Sequence, residues 1–459
     1  MSLVCTLVAC GRIGFDPVTT SSDAPTIRYD RVIPVYGVGV AMPPLVPTVT
    51  GNPDQFDVSP DLPAGLQLDA MTGTIDGTPI ATQPAMSYTV TAHNSSGQGS
   101  TTIQLRTADA YIVNNNGDVN DATPGDNLCE TATGNGQCTL RAAFTEINAD
   151  GGTKSVAIVL AQTIQLQSEL PAVTQSIEVV GVDTTSVVID GGANQLTFYN
   201  ATGVSLKLAY LTIRNATQIN PNFQTGIDFS GDHILVTGCG GFVNVGGANS
   251  TLELRDSMFI GNSGNVVYAT AAITIDRCTF AANTPAPTGG VTYFVFGSGA
   301  VTNCTFDGNS GTGSVAVVDN ANITFAHNTF SGNASTDQFR GGAFSLYSGS
   351  TTMWTNNLFV NNIGDTGTCA ISGAFSSDGG NLVFPADANC QFTAPRDPAP
   401  ADPQLVPLAQ NGGPTLTMAL GDASPAINAA NDVNCTPTDQ RGVPRPMGAA
   451  CDIGAVEQR

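Results

Sequence analysis

Between residues 254 and 362 the chain repeats its chemistry while drifting in length, and nothing else in it restricts the fold so strongly. Five segments align on a phenylalanine followed three positions later by asparagine: Phe259/Asn262, Phe280/Asn283, Phe306/Asn309, Phe330/Asn333 and Phe359/Asn362. Five positions before each phenylalanine stands a large apolar residue, Leu254, Ile275, Val301, Phe325 or Trp354. Two positions before it stand Ser257, Cys278, Cys304, Asn328 and Asn357. Successive phenylalanines lie 21 to 29 residues apart, so extra length falls in loops while the columns keep register. A parallel β-helix explains all three columns at once. Each coil lies one interstrand spacing, ~4.8 Å, above its predecessor, and apolar columns stack inside. Asparagines at the turns then form ladders in which each amide both donates and accepts. Earlier coils are visible in Val187-Val188-Ile189-Asp190 and in Leu206-Lys207-Leu208-Ala209-Tyr210-Leu211-Thr212-Ile213. A β-propeller would need four strands per blade of ~40 residues, and the Gly and Asn load excludes a solenoid of helices.

Composition agrees with an all-β chain. Only 11% of its 459 residues are charged, against about 25% in ordinary globular proteins, and exposed helix faces need such residues. Short strands and tight turns suit the 51 glycines and 27 prolines. The net charge is −22, and Lys154 and Lys207 are the two lysines. With no basic stripe, nucleic acid is not an expected partner. Eleven cysteines point to an oxidising compartment. Cys129 with Cys138, Cys369 with Cys390, and Cys435 with Cys451 form local pairs, each closing a short loop worth about 2 to 3 kcal/mol. Cys239, Cys278 and Cys304 fit buried thiols, the last two adjacent in one column and either bonded or stacked. No C-x-x-C pair occurs, so neither a zinc nor a redox site is expected.

The organisation reads from the ends inward. Leu7-Val8-Ala9-Cys10 resembles the lipobox of bacterial lipoproteins, which implies a signal over 1–10, expected to continue upstream of Met1, and a lipid on Cys10. Residues 11–26 read as a tether. No later segment has the ~20 apolar residues needed to span a bilayer, so membrane attachment is expected through lipid alone. Residues 27–107 alternate apolar and polar in short runs around Leu62-Pro63-Ala64-Gly65-Leu66-Gln67-Leu68-Asp69 and Thr72-Gly73-Thr74-Ile75-Asp76-Gly77-Thr78-Pro79. That run resembles the immunoglobulin-like module of bacterial surface proteins, which implies a small β-sandwich with a spacer or adhesive role. Gly65, Gly73 and Gly77 are expected to supply positive φ.

Within 108–152, Cys138-Thr139-Leu140-Arg141-Ala142-Ala143 resembles the CSLREA motif of bacterial β-helix proteins, with Thr139 and Ala142 in place of Ser and Glu. Leu140, Phe144 and Ile147 recur at helical spacing, Thr139 suits an N-cap and Gly151 stops the run. Such a helix would cover the first coil, whose open edge would otherwise pair with another chain. Asp118, Asp121 and Asp126 are candidate Ca²⁺ ligands, or simply a solvated loop. Residues 153–395 resemble the pectin-lyase-like right-handed β-helix superfamily. Residues 396–459, with Asn411-Gly412-Gly413-Pro414, Asp439-Gln440-Arg441-Gly442 and Asp452-Ile453-Gly454-Ala455, resemble the choice-of-anchor Q domain. This implies surface display and a compact cap on the last coil, braced by Arg441 with Asp439 or Asp452.

The β-helix resemblance brings lyases and glycosidases into view. A lyase needs a cation on the substrate carboxylate and a base for the α-carbon proton. The coil cations are Lys154, Lys207, Arg214, Arg255, Arg277 and Arg340. In the register Arg255 faces Asp276 on the next coil and Asp256 faces Arg277, so both pairs are expected as salt bridges. A glycosidase needs two converging carboxylates, for which Asp256, Asp276 and Asp307 are candidates. The N-T-D, D-D, G-H-G and R-I-K motifs of polygalacturonases do not occur. His93, His233 and His327 lie far apart, and His327 falls in the Asp256/Arg277/Asn303 turn column. The sequence therefore leads us to expect a monomeric, non-catalytic surface or secreted lipoprotein that requires no cofactor and binds polysaccharide or a cell-surface ligand through the β-helix. The alternative is a polysaccharide lyase or glycosidase.

Overall fold

A computed structural model describes residues 23–458 except 31, 152–153, 160, 197, 199–201, 220–225, 248 and 286–288. Cys10 and its lipobox lie outside the described residues. The N-terminal module is built on a long hairpin, Gln83–Asn94 with Gly97–Ala108, flanked by Gln55–Ser59 and Tyr36–Gly37. Tyr88, Val90, Phe56, Ile75 and Leu105 fill its core. The motif glycines act as turn residues. Gly65 and Gly77 have φ of 94° and 125°, and a Cβ on either would lie 2.0–2.2 Å from a backbone oxygen across the hairpin. Only glycine fits there.

The module runs directly into the solenoid. Ala110–Val113 pairs in parallel with Lys154–Ile158 and forms the first rung. Between them Leu140–Asp150 is the expected helix: the Thr139 hydroxyl accepts from the Ala142 N–H, and Gly151 ends the helix at φ 72°. Leu140, Phe144 and Ile147 face the first coil and are fully buried, which covers the apolar end of the stack. From there about nine turns build a right-handed parallel β-helix with three parallel sheets. One rung of it runs Ala272–Asp276 in the first sheet, Thr279–Ala281 in the second and Gly290–Val295 in the third.

The aligned columns occupy the interior. The rings of Phe259, Phe280, Phe306, Phe330 and Phe359 stack at 4.7–5.0 Å with interplanar angles of 14° or less. Leu254, Ile275, Val301, Phe325 and Trp354 are fully buried beside them. The asparagine ladder runs through Asn262, Asn283, Asn309, Asn333 and Asn362. In each step the main-chain N–H and the side-chain Nδ2 both donate to the next Oδ1 at 2.8–3.1 Å. Each Nδ2 also donates to a carbonyl of the rung behind, such as that of Phe280 from Asn309. A second ladder links Asn328, Asn357 and Asn381. Between the first two sheets seven successive coils turn on one left-handed residue: Tyr210, His233, Asp256, Arg277, Asn303, His327 and Asn356 have φ between 49° and 56°.

The far end departs from expectation. The last coil is closed by residues 385–397, where the short 3-10 helix Ala388–Cys390 is tied by Cys369–Cys390 and Phe392 packs on Phe359 and Phe375 at 5.2 Å. Asp397 ends the second ladder by accepting from Asn381. Residues 402–458 instead fold back and forth over the outer flank of the second sheet as a strap, meeting rungs from Thr279 to Asp378. Leu416 accepts from Thr279, Gln440 from Thr305, and the Ala455 N–H donates to Thr329. The physical reason is that the hydroxyls of Thr279, Thr305 and Thr329 column on three successive rungs of that flank and match the strap's Leu416 carbonyl, Gln440 side-chain amide and Ala455 N–H. The strap is held by Cys435–Cys451, by Arg441 on Asp439 at 2.7 Å, and by a fully buried Arg445–Glu457 pair at 2.9 Å. Of the two expected partners of Arg441 it is Asp439 that serves; Asp452 accepts from the Asn428 and Gln458 N–H groups.

Replacing Asn309 by alanine removes its side-chain ladder bonds and leaves the buried Asn283 main-chain N–H without its acceptor. Equilibrium urea unfolding should show a loss of about 3 kcal/mol. Asn322→Ala, on an exposed strand start, should cost less than about 1 kcal/mol.

Candidate functional site

Alternation along the first sheet turns Glu178, Lys207, Ser230 and Glu253 outward in one column, and Val180, Ala209, Asp232, Arg255 and Asp276 in the next. The N-terminal module leans against the early rungs of this face, where Val35 packs on Ala157, Val180 and Ala209. Its strand Gly97–Ala108 carries Arg106 to Glu178, at 2.7 Å, and Lys207 reaches the same carboxylate at 3.0 Å. Burial raises the Glu178 pKa, but these two cations outweigh it and hold the carboxyl below its usual range. Between module and sheet lies a cleft of about 370 Å³, with Leu105, Val180 and Ala209 on its walls and Arg106, Lys207, Tyr210 and Asp232 at its polar edge.

Tyr210 and His233 are successive members of the left-handed corner column. Their rings stack at 4.8 Å and 18°, and His233 Nδ1 lies 2.9 Å from Asp232. Burial pulls the His233 pKa down and Arg277 adds to that. The hydrogen bond and charge of Asp232, with the charge of Asp256, prevail and place it above the ordinary value. One rung on, Arg277 holds Asp256 with two bonds, at 2.6 and 2.8 Å, and reaches Asp276 at 2.6 Å. Arg255 lies 3.6 Å from Asp276 and also pairs with Glu253. Both expected ladder pairs therefore form.

The remaining coil cations are engaged as well. Lys154 pairs with Asp109 and Asp150, Arg214 with Asp190, and Arg340 with Asp337 and the Gly289 carbonyl. Asp256 and Asp276 are thus carboxylates of a salt-bridge ladder. Asp307 sits apart from them on the second sheet, half-buried, with its pKa raised by burial. The three histidines do not meet. His93 pairs with Asp57 on the module. His327 is a buried corner residue, 3.0 Å from the Asn356 amide and under the strap. Burial first, then the charge of Arg445, lowers its pKa to about 3.

Among the described residues two groups of side chains bring ligand-type atoms within 4.8 Å of one another, Asp232/His233/Asp256 and Asp121/Asp126/Glu146. The first carries a cation already, in Arg277. The second contains two of the three candidate Ca²⁺ ligands. Asp118 lies elsewhere, gripping Arg141 with two bonds. Glu146 takes the third place because the helix faces the loop, where it accepts from the Gly125 and Asn127 N–H groups. The disulfides join Cys129–Cys138, Cys369–Cys390 and Cys435–Cys451. Cys239, Cys278 and Cys304 are buried thiols, and the Cys278 N–H donates to Cys304 Sγ at 3.3 Å, so these two are stacked and unbonded. Among the described residues no helix is long and apolar enough to cross a membrane.

Sequence reasoning missed the cleft, because Arg106 meets Glu178 and Lys207 only once the module has docked. It also missed Gln440, whose fully buried amide binds the Cys278 carbonyl and the hydroxyls of Thr279, Thr305 and Thr415. The signal was present: an uncharged Gln between Asp439 and Arg441, which pair with each other, is free to dock.

Comparison with known proteins agrees with this architecture. Residues 31–108 match the family model "Putative Ig domain", and residues 238–383 match "Right handed beta helix region". The chain is an Ig-like module joined to a right-handed β-helix. No curated protein and no solved structure matches it.

The buried state of His327 has a definite pH signature. The unfolded chain takes up a proton near the ordinary histidine value of ~6.5, whereas the folded site resists it to about 3. This contribution to stability is complete above ~6.5 and falls by about 1.4 kcal/mol per pH unit below it. Urea unfolding of wild type and His327→Asn between pH 4 and 7 should show that slope in the difference between the two proteins.

Proposed function

We propose that the protein is an extracytoplasmic, non-catalytic binder of polysaccharide, displayed by a lipid on Cys10. The observation that carries this reading is that each of the six coil cations has a carboxylate partner. A lyase base or carboxylate clamp has to be available to substrate, and a guanidinium held by two carboxylates has its charge and its donors occupied. An aromatic ring beside hydrogen-bonding side chains, as in the cleft, suits a sugar. Three disulfides favour an oxidising location outside the cytoplasm. The resemblances to CSLREA and choice-of-anchor Q proteins support surface display, with Asp439-Gln440-Arg441-Gly442 acting as a docking device of the strap.

Affinity electrophoresis through neutral and uronate polysaccharides should retard the protein, and no new reducing ends or unsaturated products should form, with or without Ca²⁺. Arg255→Gln and Arg277→Gln should bind as wild type does. Release of product by the wild type that these variants lack would overturn the reading in favour of a lyase or glycosidase. In a bacterial producer, labelled palmitate should enter the protein and be lost with Cys10→Ser; an unlabelled wild type would remove the lipid anchor.

A further inference from the structure

We propose that the cleft between the Ig-like module and the first sheet binds a short uncharged saccharide, with Tyr210 as its stacking platform. This deepens the binding reading above and rests on it. The position of Tyr210 is the first ground. Bulky residues are unfavourable in the left-handed region; the rungs at Asn303 and Asn356 place an asparagine at this corner, while those at His233, Arg277 and His327 place side chains that have partners of their own. Here a tyrosine occupies it at φ 54°, with its ring steadied by the stacked imidazole of His233, which Asp232 orients in turn. His233 covers one face of this half-buried ring, which lines the cavity, and the remaining face is of the kind the C–H face of a pyranose covers.

Charge is the second ground. Arg106 and Lys207 carry two positive charges at the cleft, and Glu178 and Asp232 carry two negative ones. The lining is therefore neutral overall while rich in donors and acceptors, and it matches hydroxyls better than carboxylates or phosphates. The third ground is shape. A volume of about 370 Å³ with apolar walls of Leu105, Val180 and Ala209 is at the small end of ligand sites, suited to a few sugar units rather than a long chain laid over many coils. The site is composite: Leu105 and Arg106 come from the module, and the remaining groups named come from the helix. Ligand and module docking should therefore reinforce each other.

Isothermal titration of the full chain with cellohexaose, xylohexaose, mannohexaose and hexagalacturonate tests this. Three variants accompany the wild type: Tyr210→Asn, which suits the left-handed backbone and removes the ring; Tyr210→Phe; and Tyr293→Ala on the third sheet, outside the cleft. A neutral oligosaccharide should bind, with affinity about tenfold or more weaker in Tyr210→Asn and little changed in the other two. Binding undiminished in Tyr210→Asn, or lost in Tyr293→Ala instead, would overturn the cleft and leave the polysaccharide reading standing. Preference for hexagalacturonate would overturn the uncharged class. Failure of the wild type to bind any saccharide here or in the polysaccharide gels would overturn both.

Discussion

A coil that turns three corners buries main-chain N–H groups at each of them, and satisfying those groups from the inside is the requirement on which the rest of this structure depends. Asparagine meets it because one side chain supplies an acceptor to the rung before it and donors to the rungs on either side. Where the column holds a different residue the same duty persists: the Ile234 N–H donates to Ser257 Oγ and the Cys278 N–H to Cys304 Sγ. The ladder fixes the vertical register to one rung, and that register brings the phenylalanines face to face. Ring stacking and amide pairing thus enforce the same spacing, and their agreement defines one alignment of the coils.

Much of this was legible in the sequence because it is local and repeated. A fixed offset between Phe280 and Asn283 recurs often enough to reveal columns without knowledge of the loops. The Asp256/Arg277 pair could be read for the same reason, since it needs only the register. The helix over Leu140–Asp150 carried its own start and stop. What stayed hidden depends on how separate pieces meet. Nothing near Arg106 announces Glu178, and nothing near Asp121 singles out Glu146 over Asp118 as its neighbour. The strap carried a clear motif, but its direction was decided by hydroxyls on Thr279, Thr305 and Thr329, whose outward columning becomes meaningful only when the flank they form is in place.

The charge distribution separates two roles that composition alone runs together. Most of the excess negative charge is dispersed over loops and keeps the surface repulsive to like-charged chains. Several of the few cations meet a carboxylate from another rung or another domain: Arg106 and Lys207 on Glu178, Arg214 on Asp190, Arg255 on Asp276 and Arg277 on Asp256. Arg106 and Lys207 converge on Glu178 and thereby join the module to the helix across the cleft, so the same ion pairs that dock the domain also furnish the polar edge of the cavity.

The strap has a further consequence for how such a chain can change over time. Solenoids ordinarily vary by gaining or losing coils, since each coil contacts only its neighbours. Here one continuous segment grips successive rungs at Cys278, Thr305 and Thr329, so it acts as a ruler cut to that stretch. A coil inserted among those rungs would move every later grip by one step and break the match, whereas one inserted before them would leave the ruler untouched. Length variation among descendants of this architecture is thereby confined to the half nearer the Ig-like module, the half that also forms the cleft.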